Sequence, residues 1–261
     1  MAREWNAVEY EEISAPQTRW GAGLLERLEL RGDEAAIDAG CGTGRVTALL
    51  LEKLPEGTVL AVDGSAAMAG SAEKRFAEDS RVRVERWDLL DLEVEEPVDL
   101  IFSTATFHWI NDHERLFGRL HEALKPGGRL AAQCGGEGNI SRATKATSEV
   151  MRQERFRPYF EGWTDDKHYA SAEDTKRRLE EAGFEAVETW LHDEPTPFGS
   201  VEELARFIES VVLGGHMLRL PEEERGPFAG AVAAKISAFE EPPTLDYVRL
   251  NVLAVRGGGT S

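Results

Sequence analysis

The chain has 261 residues, with 30 Lys or Arg against 48 Asp or Glu and a formal net charge of −18, a balance that excludes phosphate-backbone or anionic-lipid attraction as the main binding force. Two cysteines far apart, Cys41 and Cys134, make neither a disulfide framework nor a CxxC metal pair, so a reducing, cytoplasmic setting and no metal site are expected. The acidic start MAREWNAVEYEE is unlike a secretion signal, no apolar run nears the roughly 18 residues that span a bilayer, and the length suits one large domain.

Short apolar runs at Ala35–Ala39, Thr58–Val62, Val82–Glu85, Asp99–Ser103 and Arg129–Cys134 alternate with helical patterns. Such alternation predicts a parallel, doubly wound α/β sheet with buried strands. The helix after the first run carries Val46, Leu49, Leu50 and Leu54 on one face and stops near Pro55-Glu56-Gly57; another, Leu116–Leu124, ends at Lys125-Pro126-Gly127-Gly128. Beyond Cys134 the pattern predicts helices over 141–157, 171–182, 201–212 and 222–240, and strands over Phe184–Leu191 and Asp246–Val255. The expectation is one domain on a mostly parallel sheet of seven strands, with helical insertions at 140–170 and 198–240 and a disordered tail at 257–261. In an open α/β sheet a ligand sits outside the strand carboxyl ends, and these insertions are expected to cap it.

Between the first strand and its helix stands Asp38-Ala39-Gly40-Cys41-Gly42-Thr43-Gly44. A glycine corner here turns sharply and admits a ligand where a Cβ would collide. A dinucleotide loop wants Gly or Ala at position 45, and this chain has Arg45. Asp38 would repel a pyrophosphate but accept hydrogen bonds from an ammonium group beside a sulfonium. The cofactor that carries both cations and no phosphate is S-adenosylmethionine. Asp63 closes the second strand, 25 residues beyond Asp38, one βαβ step, where a ribose diol can donate to it. That acid alone serves a nicotinamide cofactor equally well. Asp88, in Arg86-Trp87-Asp88-Leu89 after the third strand, can accept from an adenine amino group while Trp87 or Leu89 lies against the ring.

At these residues the chain resembles the class I S-adenosylmethionine-dependent methyltransferases, over residues 35–134 and including Lys125-Pro126-Gly127-Gly128. Trp5-Asn6 with Tyr10, Asp63-Gly64-Ser65 leading to Met68, and the run Phe102 to Trp109 are similar to the trans-aconitate methyltransferase subgroup. The resemblance implies that Asp38 with Gly40, Gly42 and Gly44 binds the methionine end and Asp63 the ribose. Met68, Trp87, Asp88 and Leu89 would surround the adenine, Ser103 would border the cofactor, and Tyr10 would close over the site. Where the subgroup commonly has Gln before the tryptophan, this chain has His108.

Methyl transfer asks a protein mostly to position and desolvate two reactants. A carboxylate acceptor needs no general base, whereas a hydroxyl or ammonium does. His108, just beyond the fourth strand, is the candidate catalytic residue, as a base or as a hydrogen-bond donor to the substrate. The segment lacks the Asn/Asp-Pro-Pro-aromatic run of exocyclic-amine methylation and the cysteine that attacks cytosine, so a small-molecule substrate methylated on a carboxylate or hydroxyl oxygen is expected, the alternatives being an N- or C-methyltransferase of secondary metabolism or a cofactor-binding interaction module without chemistry. Residues 141–160 carry Arg142, Lys145, Arg152, Arg155 and Arg157 against Glu149 and Glu154. That local excess could meet a carboxylate.

Overall fold

Successive side chains along the central strands enter two different cores, and this alternation places the site. The computed structural model describes residues 15–165 and 167–258. Its strands are β1 Ala35–Ala39, β2 Thr58–Asp63, β3 Val82–Arg86, β4 Val98–Thr104, β5 Leu124–Gly135, β6 Phe184–Asp193, β7 Thr196–Pro197, β8 Thr244–Leu245 and β9 Val248–Arg256. Seven of them form one sheet in the order β3-β2-β1-β4-β5-β9-β6, while β7 and β8 pair antiparallel apart from it. The pairs β1–β2, β2–β3, β1–β4 and β4–β5 are parallel. The expected doubly wound sheet is therefore present, and its strand order reverses between β1 and β4. Ligands bind at the carboxyl ends beside such a reversal.

The helices are α1 Ala15–Leu25, α2 Arg45–Lys53, α3 Ala66–Phe76, α4 His113–Ala123, α5 Ser141–Met151, α6 Ala172–Glu181, α7 Val201–Phe207, α8 Gly214–Met217 and α9 Glu222–Ser237. On one face of the sheet Ile37, Ile101 and Leu130 meet Leu116, Phe117 and Leu120 of α4 and Leu179 of α6. Their chain neighbours Ala36, Leu100 and Ala131 point the other way, onto Leu24 and Leu25 of α1 and Leu50, Leu51 and Leu54 around α2. Each such leucine, fully buried, contributes about 2 kcal/mol of hydrophobic transfer. α2 ends at Leu54 because Pro55 disfavours helical backbone in the residue before it. α4 starts where the Asp112 carboxylate accepts from Arg115 N–H at 3.0 Å.

One polar line crosses this apolar sheet. The Gln133 side-chain amide on β5 donates to Asn251 Oδ1 on β9 at 2.8 Å, and Asn251 Nδ2 donates to the Trp190 carbonyl on β6 at 3.5 Å.

The chain divides into two compact units: Met1–Glu137 with His168–Leu191 and Leu250–Ser261, and Gly138–Lys167 with His192–Arg249. The second is mainly helical. Its core joins Val150 of α5 and Leu204 of α7 to Phe228, Val232 and Ile236 of α9, with Phe156 and Phe160 at 5.1 and 5.2 Å from the Phe228 ring. Three expected bounds shift. The helix begun at Ser141 stops at Met151, because the chain then turns to bury Phe156 and Phe160 ahead of and behind Pro158. The helix from Val201 becomes π-helical at Ile208–Val212. Lys125-Pro126-Gly127-Gly128 lies inside β5, which already begins at Leu124. Among the described residues, no helix is long and apolar enough to cross a membrane.

Candidate active site

The glycine corner is pinned from two sides. Gly40 and Cys41 N–H both donate to the Val62 carbonyl of β2, at 2.8 and 2.9 Å. Gly42 N–H donates to Asp63 Oδ2 at 2.9 Å, and Ser65 N–H to Asp63 Oδ1 at 2.8 Å. From the β4 side, Ser103 Oγ donates to the Ala39 carbonyl at 2.6 Å and Thr106 Oγ1 to the Gly40 carbonyl at 3.3 Å. The three glycines differ in what surrounds them, although all have positive φ. A Cβ on Gly40 would collide with Thr106, and one on Gly44 would lie 2.5 Å from the Phe76 ring, whereas one on Gly42 would meet no protein atom within 4 Å. Among the described residues, Gly42 thus has open space where a side chain would stand, while Gly40 and Gly44 let the loop pack.

Asp38 sits beneath this corner, 1% exposed. Thr47 Oγ1, from α2, donates to its Oδ2 at 2.6 Å, and its buried Oδ1 has no hydrogen-bond partner among the described residues. Burial raises its pKa most, the Thr47 hydrogen bond opposes this, and the charge of Asp63 adds to it, leaving a value of about 7. A buried carboxylate oxygen without a donor is costly to ionise. Thr47, which completes this arrangement, was not singled out from sequence; its place between Val46 and Leu50 on the buried face of α2 was the available signal.

At the other end of β1, Glu34 is equally buried but satisfied. Burial pushes its pKa up, yet the N–H groups of Arg31 and Gly32, at 2.7 and 2.9 Å, pull it net below the ordinary value. Two acids four residues apart, one just before β1 and one within it, thus differ in whether their charge has been met. Only the one at the carboxyl end is left open.

The remaining expected residues fall around the same strand ends. Trp87 N–H donates to the Asp63 carbonyl at 3.2 Å, and the Trp87 side chain packs against the core cluster that includes Leu89. Asp88 Oδ1 accepts from Leu90 N–H at 3.1 Å, capping the turn Leu89–Asp91. Met68 is buried in the first turn of α3, where its N–H meets Ser65 Oγ. Ser103 commits its hydroxyl proton to Ala39, bracing β1 against β4. Tyr10 lies outside the described residues. Cys41 is held as an inert thiol, since burial, then the charges of Asp38 and Asp63, push its pKa well up.

Beyond β4 the chain passes through Ala105 at φ 56, with its N–H donating to the Gln133 carbonyl at 2.7 Å. A left-handed alanine costs about 1–2 kcal/mol, and here it swings Thr106 over Gly40 and begins the short turn Phe107–Trp109 that holds His108. His108 is 8% exposed; its Nδ1 accepts from Gly135 N–H at 3.3 Å, and its ring lies 5.8 Å from that of Tyr169 at an interplanar angle of 25°. His113, at the start of α4, is buried, with Nε2 3.0 Å from the Phe107 carbonyl. The basic excess over 141–160 is largely engaged within its own unit. Arg142 pairs with Glu240, Arg155 with Glu224, and Lys145 lies over Phe239, so that these cations have surface partners.

A family model described as a methyltransferase domain matches residues 37–130, from β1 into β5. Trans-aconitate 2-methyltransferase of Methylobacterium nodulans is 31% identical over 213 residues, 82% of this chain and 75% of that protein. The enzyme of the same name from Sinorhizobium fredii is 28% identical over 258 residues, 97% of this chain and 98% of its own length. Among solved structures, Haemonchus contortus phosphoethanolamine N-methyltransferase 2 in complex with S-adenosyl-L-methionine superposes with a TM-score of 0.64 at 20% identity; 96% of this chain matches it and spans 56% of that chain. The YcgJ protein of Bacillus subtilis gives 0.65 at 14% identity, over 92% of this chain and all of the other. At these identities the two structures speak to fold alone.

Proposed function

Because the chain belongs to the class I S-adenosylmethionine-dependent methyltransferases, we propose that it methylates a carboxylate oxygen of a small organic acid. The observation that carries this reading is its likeness, nearly end to end, to a relative named for a tricarboxylate acceptor. The residues present fit the cofactor: the orphaned Asp38 Oδ1 suits an ammonium donor, and the open side of Gly42 suits close approach of a ligand to backbone. When bound, the cofactor supplies a methyl group activated on a sulfonium. Asp38 and Asp63 then offer negative charge to a cationic adenosine compound, with Asp63, held by the N–H groups of Gly42 and Ser65, at the strand end where a ribose diol would donate. Met68, Trp87 and Leu89 provide the apolar surroundings for a base, with Asp88 beside them.

A carboxylate needs no deprotonation before methylation, so binding and orientation supply the rate enhancement. The test is transfer of labelled methyl to trans-aconitate beside a panel of phenols, alcohols and amines. The expected product is an ester whose label mild alkali releases as methanol. Label that survives alkali points to an ether or amine and overturns the carboxylate reading. Binding of S-adenosylhomocysteine with no transfer to any acceptor leaves a cofactor-binding module without chemistry.

A further inference from the structure

We propose that His108 is locked as the tautomer bearing its proton on Nε2, and that it gives the methyl acceptor's oxygen a hydrogen bond without ever taking a proton from it. The inference rests on the methyl-transfer reading above and narrows the acceptor to an oxygen already ionised. Its basis is the direction of one hydrogen bond. Gly135 N–H can only donate, so at 3.3 Å His108 Nδ1 must be the accepting nitrogen. A neutral imidazole has one N–H, which is then at Nε2. The ring's single lone pair is thereby engaged with β5 and faces away from any substrate proton.

The surroundings hold this state. The Tyr169 ring lies stacked at 5.8 Å and Trp109 at 5.0 Å, fixing the imidazole plane, while the His108 carbonyl accepts from His168 N–H at 2.9 Å. A second proton would have to enter at Nδ1 and would leave Gly135 N–H, a buried donor, facing another N–H. Among the described residues, the titratable groups packed around this turn include Tyr169, His168 and, from α4, His113, with Arg178 of α6 3.3 Å from His168 Nε2, Asp112 beside His113 and Asp174 beside His168. Burial lowers His168, with Arg178 adding to the shift, and burial lowers His113 to about 4.

His108 stands on the segment that reaches the glycine corner through Thr106, at the carboxyl edge of the sheet. During transfer a bond forms between the carboxylate oxygen and the methyl carbon as the carbon–sulfur bond breaks. The anion becomes a neutral ester, the sulfonium a neutral thioether, and no proton moves. A donor such as His108 Nε2–H therefore suffices to orient the oxygen.

The test combines a tautomer measurement with kinetics on whichever panel acceptor turns over fastest. Nitrogen NMR of the wild-type protein is expected to show a protonated Nε2 and an unprotonated Nδ1. His108→Ala should lower kcat/KM by roughly 10- to 100-fold, the range for a hydrogen bond to a charged group, chiefly through KM. His108→Gln, whose amide also donates, should recover to within about 5-fold of wild type, with S-adenosylhomocysteine affinity retained in both variants. A proton found on Nδ1, a Gln variant as impaired as Ala, or a kcat/KM limb near neutral pH that the Gln variant abolishes overturns the proposal. If the wild type methylates only phenols or amines but the tautomer is as stated, the carboxylate reading falls separately.

Discussion

Asp38 carries an ionisation that the empty protein opposes. With its pKa raised from 3.8 to about 7, its contribution to stability is complete below 3.8 and is lost as pH rises through about 7, a loss of about 4 kcal/mol at ~1.4 kcal/mol per pH unit. A bound cation reverses the preference. Affinity for S-adenosylmethionine is therefore expected to rise with pH up to about 7, and binding at pH 6 to release a proton. Calorimetry in buffers of different ionisation enthalpy reads this directly; heats that do not vary with buffer reject the linkage. Asp38→Asn should raise the melting temperature of the empty protein above pH 7 while weakening cofactor binding by more than tenfold.

Neighbouring glycines separate loop packing from ligand approach at the same scale. Gly40→Ala drives a methyl group into Thr106 and should destabilise the fold by about 2–4 kcal/mol, from strain and overpacking together. Gly42→Ala meets open space and should cost about 1 kcal/mol of stability, from its φ of 56 alone. Its loss in cofactor affinity should exceed its loss in stability. Chemical denaturation beside ligand titration distinguishes the two; equal stability losses would remove the distinction between these positions.

At the scale of elements, β1 and β4 meet where the strand order reverses, and the Ser103–Ala39 hydrogen bond braces that junction. Ser103→Ala should cost about 1 kcal/mol in urea unfolding, with cofactor affinity changed less than twofold. A tenfold fall in affinity would instead assign the hydroxyl to the cofactor. Much of this architecture is legible in sequence because buried parallel strands read as apolar runs and because the loop Gly40–Gly44 interrupts them in a recognisable place. The paired acids Asp38 and Asp63 are equally legible, since one stands next to last in β1 and the other closes β2. The Thr47 partnership, the burial of His113 and the Nδ1 contact of His108 are not, because each depends on a backbone or helix face brought in from elsewhere in the chain. The break after Met151 and the π-helical stretch Ile208–Val212 escape periodicity for a related reason. There the packing of Phe156, Phe160 and Val211 overrides local helix preference.

Over the whole molecule, opposing ionisations mask one another. His113, lowered to about 4, contributes stability that is complete above 6.5 and lost as pH falls through about 4, about 3 kcal/mol in all. Asp38 changes in the opposite sense across nearly the same window. The unliganded protein should therefore show a nearly level melting temperature between pH 7 and 4.5, whereas Asp38→Asn should fall steeply as the pH drops. Parallel curves for the two proteins would discount either shift.

The amide line from Gln133 through Asn251 to Trp190 bears on how β9 finds its place. Apolar strands tolerate neighbours by size alone, but these two carboxamides match only when their parity along β5 and β9 agrees, since a slip of one residue turns each to the opposite side. They act as a key cut into an otherwise smooth edge, so that the last strand inserts between β5 and β6 in a single setting. Gln133→Leu with Asn251→Leu should remain folded yet refold into more than one conformer by NMR; one sharp set of resonances would show that the key is dispensable.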